Sequence, residues 1–137
     1  PLVVANAITM GYIATNHFMR PMATSNDPLD NSMSVRTWPL LDRLHFNFSH
    51  HVEHHLFPTM SGADTPKVRA WLLAHEADRY VCPGHATALA YLYRTPRVYL
   101  DAHTLVNPSR RRRRARVDTG DLARVLRSGR RTPAPIR

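Results

Sequence analysis

The sequence has almost no cysteine, since Cys82 is the only one among 137 residues. A single thiol excludes an internal disulfide framework, and it excludes zinc sites that are built from several cysteines. The length suits about one small domain. Because the chain begins at Pro1, within an apolar run, we expect it to be the C-terminal part of a longer protein.

Net charge is also absent from most of the chain. Residues 1–109 carry eight basic and eight acidic side chains, so the whole net charge of +9 comes from residues 110–137, with eleven arginines and two aspartates. The high pI therefore describes this segment and not the rest of the molecule. With so little apolar surface to bury, residues 109–137 are expected to form an Arg-rich, disordered tail.

The first apolar segment contains no charged side chain before Arg20. A membrane-spanning helix needs about 20 such residues, so we predict that residues 1–18 are the end of a transmembrane helix. A buried helix of a soluble protein is the alternative. We do not expect a signal peptide here, because no basic region precedes the apolar run.

Helical spacing indicates further helices and an all-α fold. One is predicted between Pro39 and Pro58, where apolar side chains recur at steps of three and four residues. A second begins at Thr65, with proline at its first positions, and a third lies between Pro83 and Pro96. An extended segment is possible over residues 97–106, and no internal repeat is present.

The stretch "HHVEHH", residues 50–55, places four histidines in six positions. On a helix with about 100° per residue, His51, His54 and His55 fall within an arc of about 100°, with His50 at its edge. Neutral imidazole is the commonest protein ligand for metals and suits iron, zinc, copper and nickel. The pattern therefore predicts a metal site.

Two ligand sets remain open from the pattern alone. His50, Glu53 and His54 match the H-x-x-E-H pattern of inverted zinc peptidases, with Glu53 as general base. The other set is His51, His54 and His55, and Glu53 then lies at about 300° on the same helical wheel, outside their arc. In that position it would orient a ligand histidine through a hydrogen bond.

The longer stretch "RLHFNFSHHVEHHLFPTMS" resembles the third histidine box of the membrane fatty acid desaturases, written H-x-x-H-H and followed by Leu-Phe-Pro. The segments "YIATNHFMRPM", "NDPLDNSMSVR" and "YRTPRVYLDAHTLVNP" resemble the flanks in bacterial members. The desaturase-like region is placed at residues 1–108. The resemblance favours the histidine-only set over the peptidase pattern.

This resemblance implies a multi-pass protein of the bacterial inner membrane, with the histidine box and the C-terminus in the cytosol. It implies two iron ions that use O2 to introduce a double bond into an acyl chain. The implied partners are an acyl-lipid or acyl-CoA substrate and a ferredoxin or cytochrome b5-type electron donor. A membrane diiron hydroxylase is the alternative within the same chemistry.

By matching position, the resemblance implies that His51, His54 and His55 are iron ligands. It also suggests His17 as a further ligand, at the end of the apolar run. His50, Glu53 and His45 are expected beside the ligands, where they support them. The family's first two histidine boxes are absent, so we expect this chain alone to be inactive as a desaturase. His75, His85 and His103 are expected to be ordinary surface residues.

The run "SRRRRRAR", residues 109–116, admits three interpretations. Each arginine near an anionic membrane surface contributes about 1 kcal/mol of attraction. A basic nucleic-acid-binding module is a rival, but no recognition fold or interleaved aromatic stripe accompanies the arginines, so we expect no specific nucleic-acid partner. A solvated tail without a role is the simplest interpretation.

Overall fold

The computed structural model describes residues 1–22, 24–96, 98–107 and 116–128. Helices predominate in these residues, and the strands of a small antiparallel sheet come before the last helix. The helices are α1 (Leu2–His17), α2 (Pro28–Asn31), α3 (Pro39–Leu44), α4 (His51–Leu56), α5 (Thr65–His75), α6 (His85–Arg94) and α7 (Thr119–Ser128). The strands are β1 (Val98–Tyr99), β2 (Thr104–Val106) and β3 (Arg116–Asp118).

Helix α1 leaves its first half exposed and buries its second half. Leu2 is 85% exposed, whereas Tyr12 and Met19, which follows the helix, are each 1% exposed. The helix has 16 residues, and no helix in the described part of the chain is both long and apolar enough to cross a membrane. The predicted transmembrane helix over residues 1–18 is therefore not confirmed and stays a prediction.

The single helix predicted between Pro39 and Pro58 is wrong, because the structure divides this segment into α3 and α4. Phe46 and Asn47 lie between them with φ angles of 54° and 57°. Asparagine tolerates this left-handed conformation better than most residues, and two such residues in succession end a right-handed helix. The turn is closed by a hydrogen bond from the Asn47 N–H to the Asp42 carbonyl, at 2.7 Å.

The two later helices are confirmed. Helix α5 carries Pro66 in its first turn, where a missing N–H costs nothing. Helix α6 ends at Arg94, just before Thr95 and Pro96, because proline disfavours the helical conformation of the preceding residue.

The all-α prediction fails after α6, where the three strands pair antiparallel in the order β1-β2-β3. In the register, Tyr99 faces Leu105, and Leu105 faces Val117. Asp101 shapes the β1–β2 connection, since its carboxylate accepts hydrogen bonds from the N–H groups of His103 and Thr104. Leu105 is fully buried, so the central strand anchors the sheet to the rest of the chain.

The prediction of a disordered tail is wrong for residues 116–128, which form β3 and α7. Leu122, Ala123 and Leu126 of α7 are buried in the main apolar core. Leu126 lies one turn after Leu122 and Ala123, so the three side chains share one face and dock this helix, although arginines surround them in the sequence. The remainder of the predicted tail lies outside the described residues.

Two apolar clusters hold the described residues together. The larger joins α1, α6, α7 and the extended segment around residues 33–35, and consists of Tyr12, Met19, Met33, Val35, Val81, Ala88, Leu92, Leu122, Ala123 and Leu126. The smaller consists of Leu29, Val52, Leu72 and Tyr80. The smaller cluster lies directly behind α4 and connects that helix to α2 and α5.

Replacing Leu126 with alanine should lower the free energy of unfolding by about 2–4 kcal/mol, because it leaves a cavity in the core. Leu126 is 2% exposed. Arg124→Ala is the control in the same helix, since the Arg124 side chain is 73% exposed and pairs with Asp121. Urea denaturation followed by circular dichroism measures both. Equal stability of the two variants would show that α7 does not dock.

Candidate metal centre

Two elements bring three histidines together. His17 is the last residue of α1, and His51 and His55 occupy positions i and i+4 of α4. Residues four apart lie on the same face of a helix, so His51 and His55 point in one direction. The end of α1 lies against that face.

The ring nitrogens of these histidines converge. The Nε2 atoms of His17 and His51 are 2.7 Å apart, and those of His51 and His55 are 3.0 Å apart. One nitrogen of each of the three rings lies within 4.8 Å of the others. Neighbouring nitrogen ligands at about 2.1 Å from a metal ion stand roughly 3 Å apart. The three side chains therefore have the spacing of a metal ligand set, which we call the histidine trio.

The short distances between the ring nitrogens of the trio are better explained by a shared metal ion than by hydrogen bonds between the rings. An imidazole Nε2 carries either one N–H or one lone pair, so the Nε2 of His51 cannot satisfy both neighbours. Burial, followed by the charges of His17, His55 and His54, lowers the pKa of His51 to about 3. Burial also lowers the pKa of His55. His51 and His55 are thus neutral imidazoles at pH 7, the form that ligates metals.

A buried carboxylate on the other side of α4 fixes the rotation of this helix. Glu53 is fully buried and accepts hydrogen bonds from Arg69 Nε at 2.9 Å, from the Tyr80 hydroxyl at 2.6 Å and from the Ser34 hydroxyl. Ser34 Oγ also accepts a hydrogen bond from the N–H of Val52. These partners come from three separate parts of the chain and hold α4 with His51 and His55 outward.

Arg69 extends this arrangement to the backbone. Its Nη2 donates to the carbonyls of Val35 and Ser49, at 3.1 and 3.0 Å. The guanidinium group of Arg69 therefore binds both the Glu53 carboxylate and the backbone of two other segments. A buried charge with several hydrogen bonds tolerates little displacement, so the segment that leads into α4 is fixed as well.

The alternative zinc hydrolase is contradicted by the position of Glu53. A general base must face the metal and its water, but Glu53 does not line the cavity that His50 and His54 line. Its two oxygens are already bound to Ser34, Arg69 and Tyr80. The same contacts contradict the expectation that Glu53 orients a ligand histidine, since none of these partners is a histidine.

His54, the fourth predicted ligand, is exposed and lies outside the trio, with its ring centroid 6.1 Å from that of His55. It lines a cavity of about 540 Å³ together with the trio and His50. His50 is 5% exposed, and neither of its ring nitrogens has a hydrogen-bond partner among the described residues. Five histidines thus share one cavity, whose apolar walls include Ile13, Phe46, Phe48 and Met60.

Three further polar residues near the candidate centre make no contact with the ring nitrogens of the trio in the part of the chain that the structure describes. His45 Nδ1 is 3.0 Å from the Tyr12 hydroxyl, and no contact joins it to a trio histidine among the described residues. His85, expected at the surface, stacks on Tyr12 with ring centroids 4.3 Å apart. Asn16 is fully buried beside His17, and its amide atoms find no partner within the described ranges.

The supporting residues Ser34, Arg69 and Tyr80 were missed in the sequence. No local motif marks them, because they reach Glu53 from 16 to 27 residues away along the chain. The one available signal was Glu53 itself, a charged side chain that falls on the apolar side of the helical wheel beside Val52. Such a side chain needs buried partners.

Comparison with known families decides the relationship. The family model described as "Fatty acid desaturase" matches residues 1–88, more than half of the 137 residues. The chain belongs to the fatty acid desaturase family. No curated protein and no solved structure matches it.

The part matched to the fatty acid desaturase family contains every residue of the candidate centre. His17, His51 and His55 lie within it, and so do Glu53 and the three side chains that bind Glu53. The sheet and α7 lie beyond it. The centre therefore belongs to the family's part of this chain, whereas the sheet and α7 lie outside the matched residues.

Replacing Glu53 with glutamine should lower the free energy of unfolding by about 3 kcal/mol or more, because it leaves the Arg69 charge without its buried partner. The amide would also direct an N–H group at side chains that already donate. Glu76→Gln is the control, since Glu76 is one-third exposed and 3.9 Å from Arg79. Chemical denaturation measures both variants, and equal losses would refute a special role for the buried pair.

Cobalt(II) should bind the chain with nitrogen ligation, visible in its absorption spectrum. His51→Ala removes the central nitrogen of the trio and should weaken binding by about 100-fold or more, since losses at outer residues of metal sites already reach 10–100-fold. His75→Ala is the control, because His75 is exposed and stacks on Trp71 away from the centre. Equal affinities of the two variants would contradict the ligand assignment.

Proposed function

We propose that this member of the fatty acid desaturase family takes part in O2-dependent oxidation of acyl chains, with iron held by the histidine trio. The observation that carries the proposal is the convergence of three Nε2 atoms from α1 and α4 in the part of the chain that matches the family. An iron centre supplies the oxidising power to remove hydrogen from an unactivated methylene group. The expected reaction introduces a carbon–carbon double bond.

The chain's own residues would contribute binding and orientation. His17, His51 and His55 provide imidazole ligands in place of carboxylates, which suits a site beside an apolar substrate. The Glu53 network sets the direction of two of them. His54 faces the same cavity but lies outside the trio, so we propose that it serves the second iron implied by the family.

The cavity next to the trio supports an apolar substrate. Its volume of about 540 Å³ falls within the range of ligand pockets, which is about 300–1,000 Å³. Ile13, Phe48 and Met60 form part of its wall together with the histidines. A methylene chain against these side chains would be shielded from water, and its C–H bonds would lie beside the ligand nitrogens.

The remaining roles are proposals from the family. The acyl group is carried as an acyl-lipid or an acyl-CoA, and electrons come from a ferredoxin or a cytochrome b5-type donor. We propose the bacterial inner membrane as the location, with the candidate centre on the cytosolic side. The histidine trio can hold one ion, so the two-iron reaction requires ligands beyond those assembled here.

Expression of the complete coding sequence around these residues should introduce a new unsaturation into the lipids of a host cell. The His51→Ala variant should abolish it, since the trio loses its central nitrogen, and the His75→Ala control should retain it. Mass spectrometry of the lipids measures the product. A hydroxylated acyl chain would show that the protein is the related hydroxylase and not a desaturase. A product that still forms in the His51→Ala variant would refute the assigned centre.

A further inference from the structure

A second cavity, of about 560 Å³, lies where the chain after α1 meets α7. Three arginines line it: Arg20 follows α1, Arg79 lies between α5 and α6, and Arg127 is in the last turn of α7. Asp30 and Asp78 also line it. This cavity is separate from the one shared by the five histidines.

The three arginines are not equally neutralised. Arg79 binds the carboxylates of Asp27 and Asp30, at 2.5 and 3.0 Å. For Arg20 and Arg127, no ion pair with a carboxylate is present among the described residues. Both cations therefore lack a direct carboxylate partner there, although the lining acid Asp30 attracts Arg20 at longer range.

Arg20 is held in an unusual setting for a cation. It is 6% exposed, and Nη2 donates to the Leu29 carbonyl at 2.5 Å, while Nε has no partner within the described residues. Burial, and then the positive charge of Arg127, lowers the pKa of Arg20 to about 10. Arg20 still carries its charge at pH 7, so a buried cation with a free N–H faces a second cation.

Thr119 supplies an independent observation. Its side chain is fully buried at the first residue of α7 and lines the cavity. Its hydroxyl has no hydrogen-bond partner in the described part of the chain. A buried, unpaired hydroxyl is costly unless a ligand or water satisfies it. The backbone N–H groups of Gly120 and Asp121 do not contribute, because the Asp118 carboxylate already accepts them.

We propose that this cavity binds a phosphate group, with Arg20, Arg127 and Thr119 donating to its oxygens. A phosphate offers three or more oxygens in different directions, whereas a carboxylate offers two in one plane. Guanidinium groups recognise phosphate through charge-assisted hydrogen bonds. A phosphate also relieves the repulsion between the two arginines, which a neutral ligand would leave in place.

A third cavity, of about 340 Å³, shares lining residues with this site and with the candidate metal centre. Pro21 and Met22 line both this cavity and the phosphate site, and His17 and His55 of the trio also line it. The phosphate site and the trio therefore border the same third cavity. The idea that this phosphate belongs to the acyl carrier rests on the proposed function. The phosphate site itself is independent of that function.

Isothermal titration of the 137-residue chain with inorganic phosphate, at constant ionic strength, tests the site. Arg127→Gln and Thr119→Val should each weaken phosphate binding by about tenfold, which corresponds to about 1.4 kcal/mol. Arg124→Gln is the matched control, since it removes the same charge from the same helix but lies outside the cavity. Equal weakening in Arg127→Gln and Arg124→Gln, or no measurable binding to the wild-type chain, would overturn the proposal.

Two phosphate esters then distinguish the source of the group. Coenzyme A and glycerol 3-phosphate are titrated against the same variants. Tighter binding of coenzyme A than of inorganic phosphate supports a soluble acyl carrier, and tighter binding of glycerol 3-phosphate supports a lipid headgroup. If neither exceeds inorganic phosphate, the site takes the free ion. Phosphate affinity should be unchanged in His51→Ala, so failure of the metal assignment would not be mistaken for failure of this site.

Discussion

The buried carboxylate of Glu53 is the constraint on which the candidate centre depends. Helix α4 has six residues, and a helix of that length has little stability of its own. Its orientation comes from tertiary contacts, and the strongest of these join Glu53 to Arg69, Tyr80 and Ser34. Because Glu53 must face inward, His51 and His55 face outward to meet His17. A charge that makes no contact with the trio thus determines its geometry.

Much of the candidate centre could be predicted from the sequence. Four histidines in six positions signalled a metal site. The helical wheel placed Glu53 outside the arc of His51, His54 and His55, and in the structure Glu53 does not line the cavity that these histidines line. The resemblance supplied His17, which no local spacing links to α4. The separation of His54 from His51 and His55 was not predictable in the same way. This separation depends on where α1 packs against α4, since His17 meets His51 and His55 but not His54. The sequence alone does not specify that packing.

The fold was predictable where local signals agreed with packing. Proline marked the start of α5 and both ends of α6, and both helices are present. The segment before α4 misled the prediction, because its apolar spacing suits a helix while the turn at Phe46 and Asn47 interrupts it. For α7, arginine-rich composition concealed Leu122 and Leu126, whose burial depends on a core assembled from distant segments. Composition describes a whole segment, but docking depends on a few side chains.

The most direct test of the account is X-ray absorption at the iron edge of the chain loaded anaerobically with iron(II). The account predicts a first shell at about 2.1 Å that includes three nitrogen ligands, with the outer-shell scattering typical of imidazole rings. Loss of that imidazole scattering in a His17→Ala, His51→Ala, His55→Ala triple variant would confirm the ligands. An iron shell of oxygen atoms without imidazole, or one unchanged in the triple variant, would contradict the account.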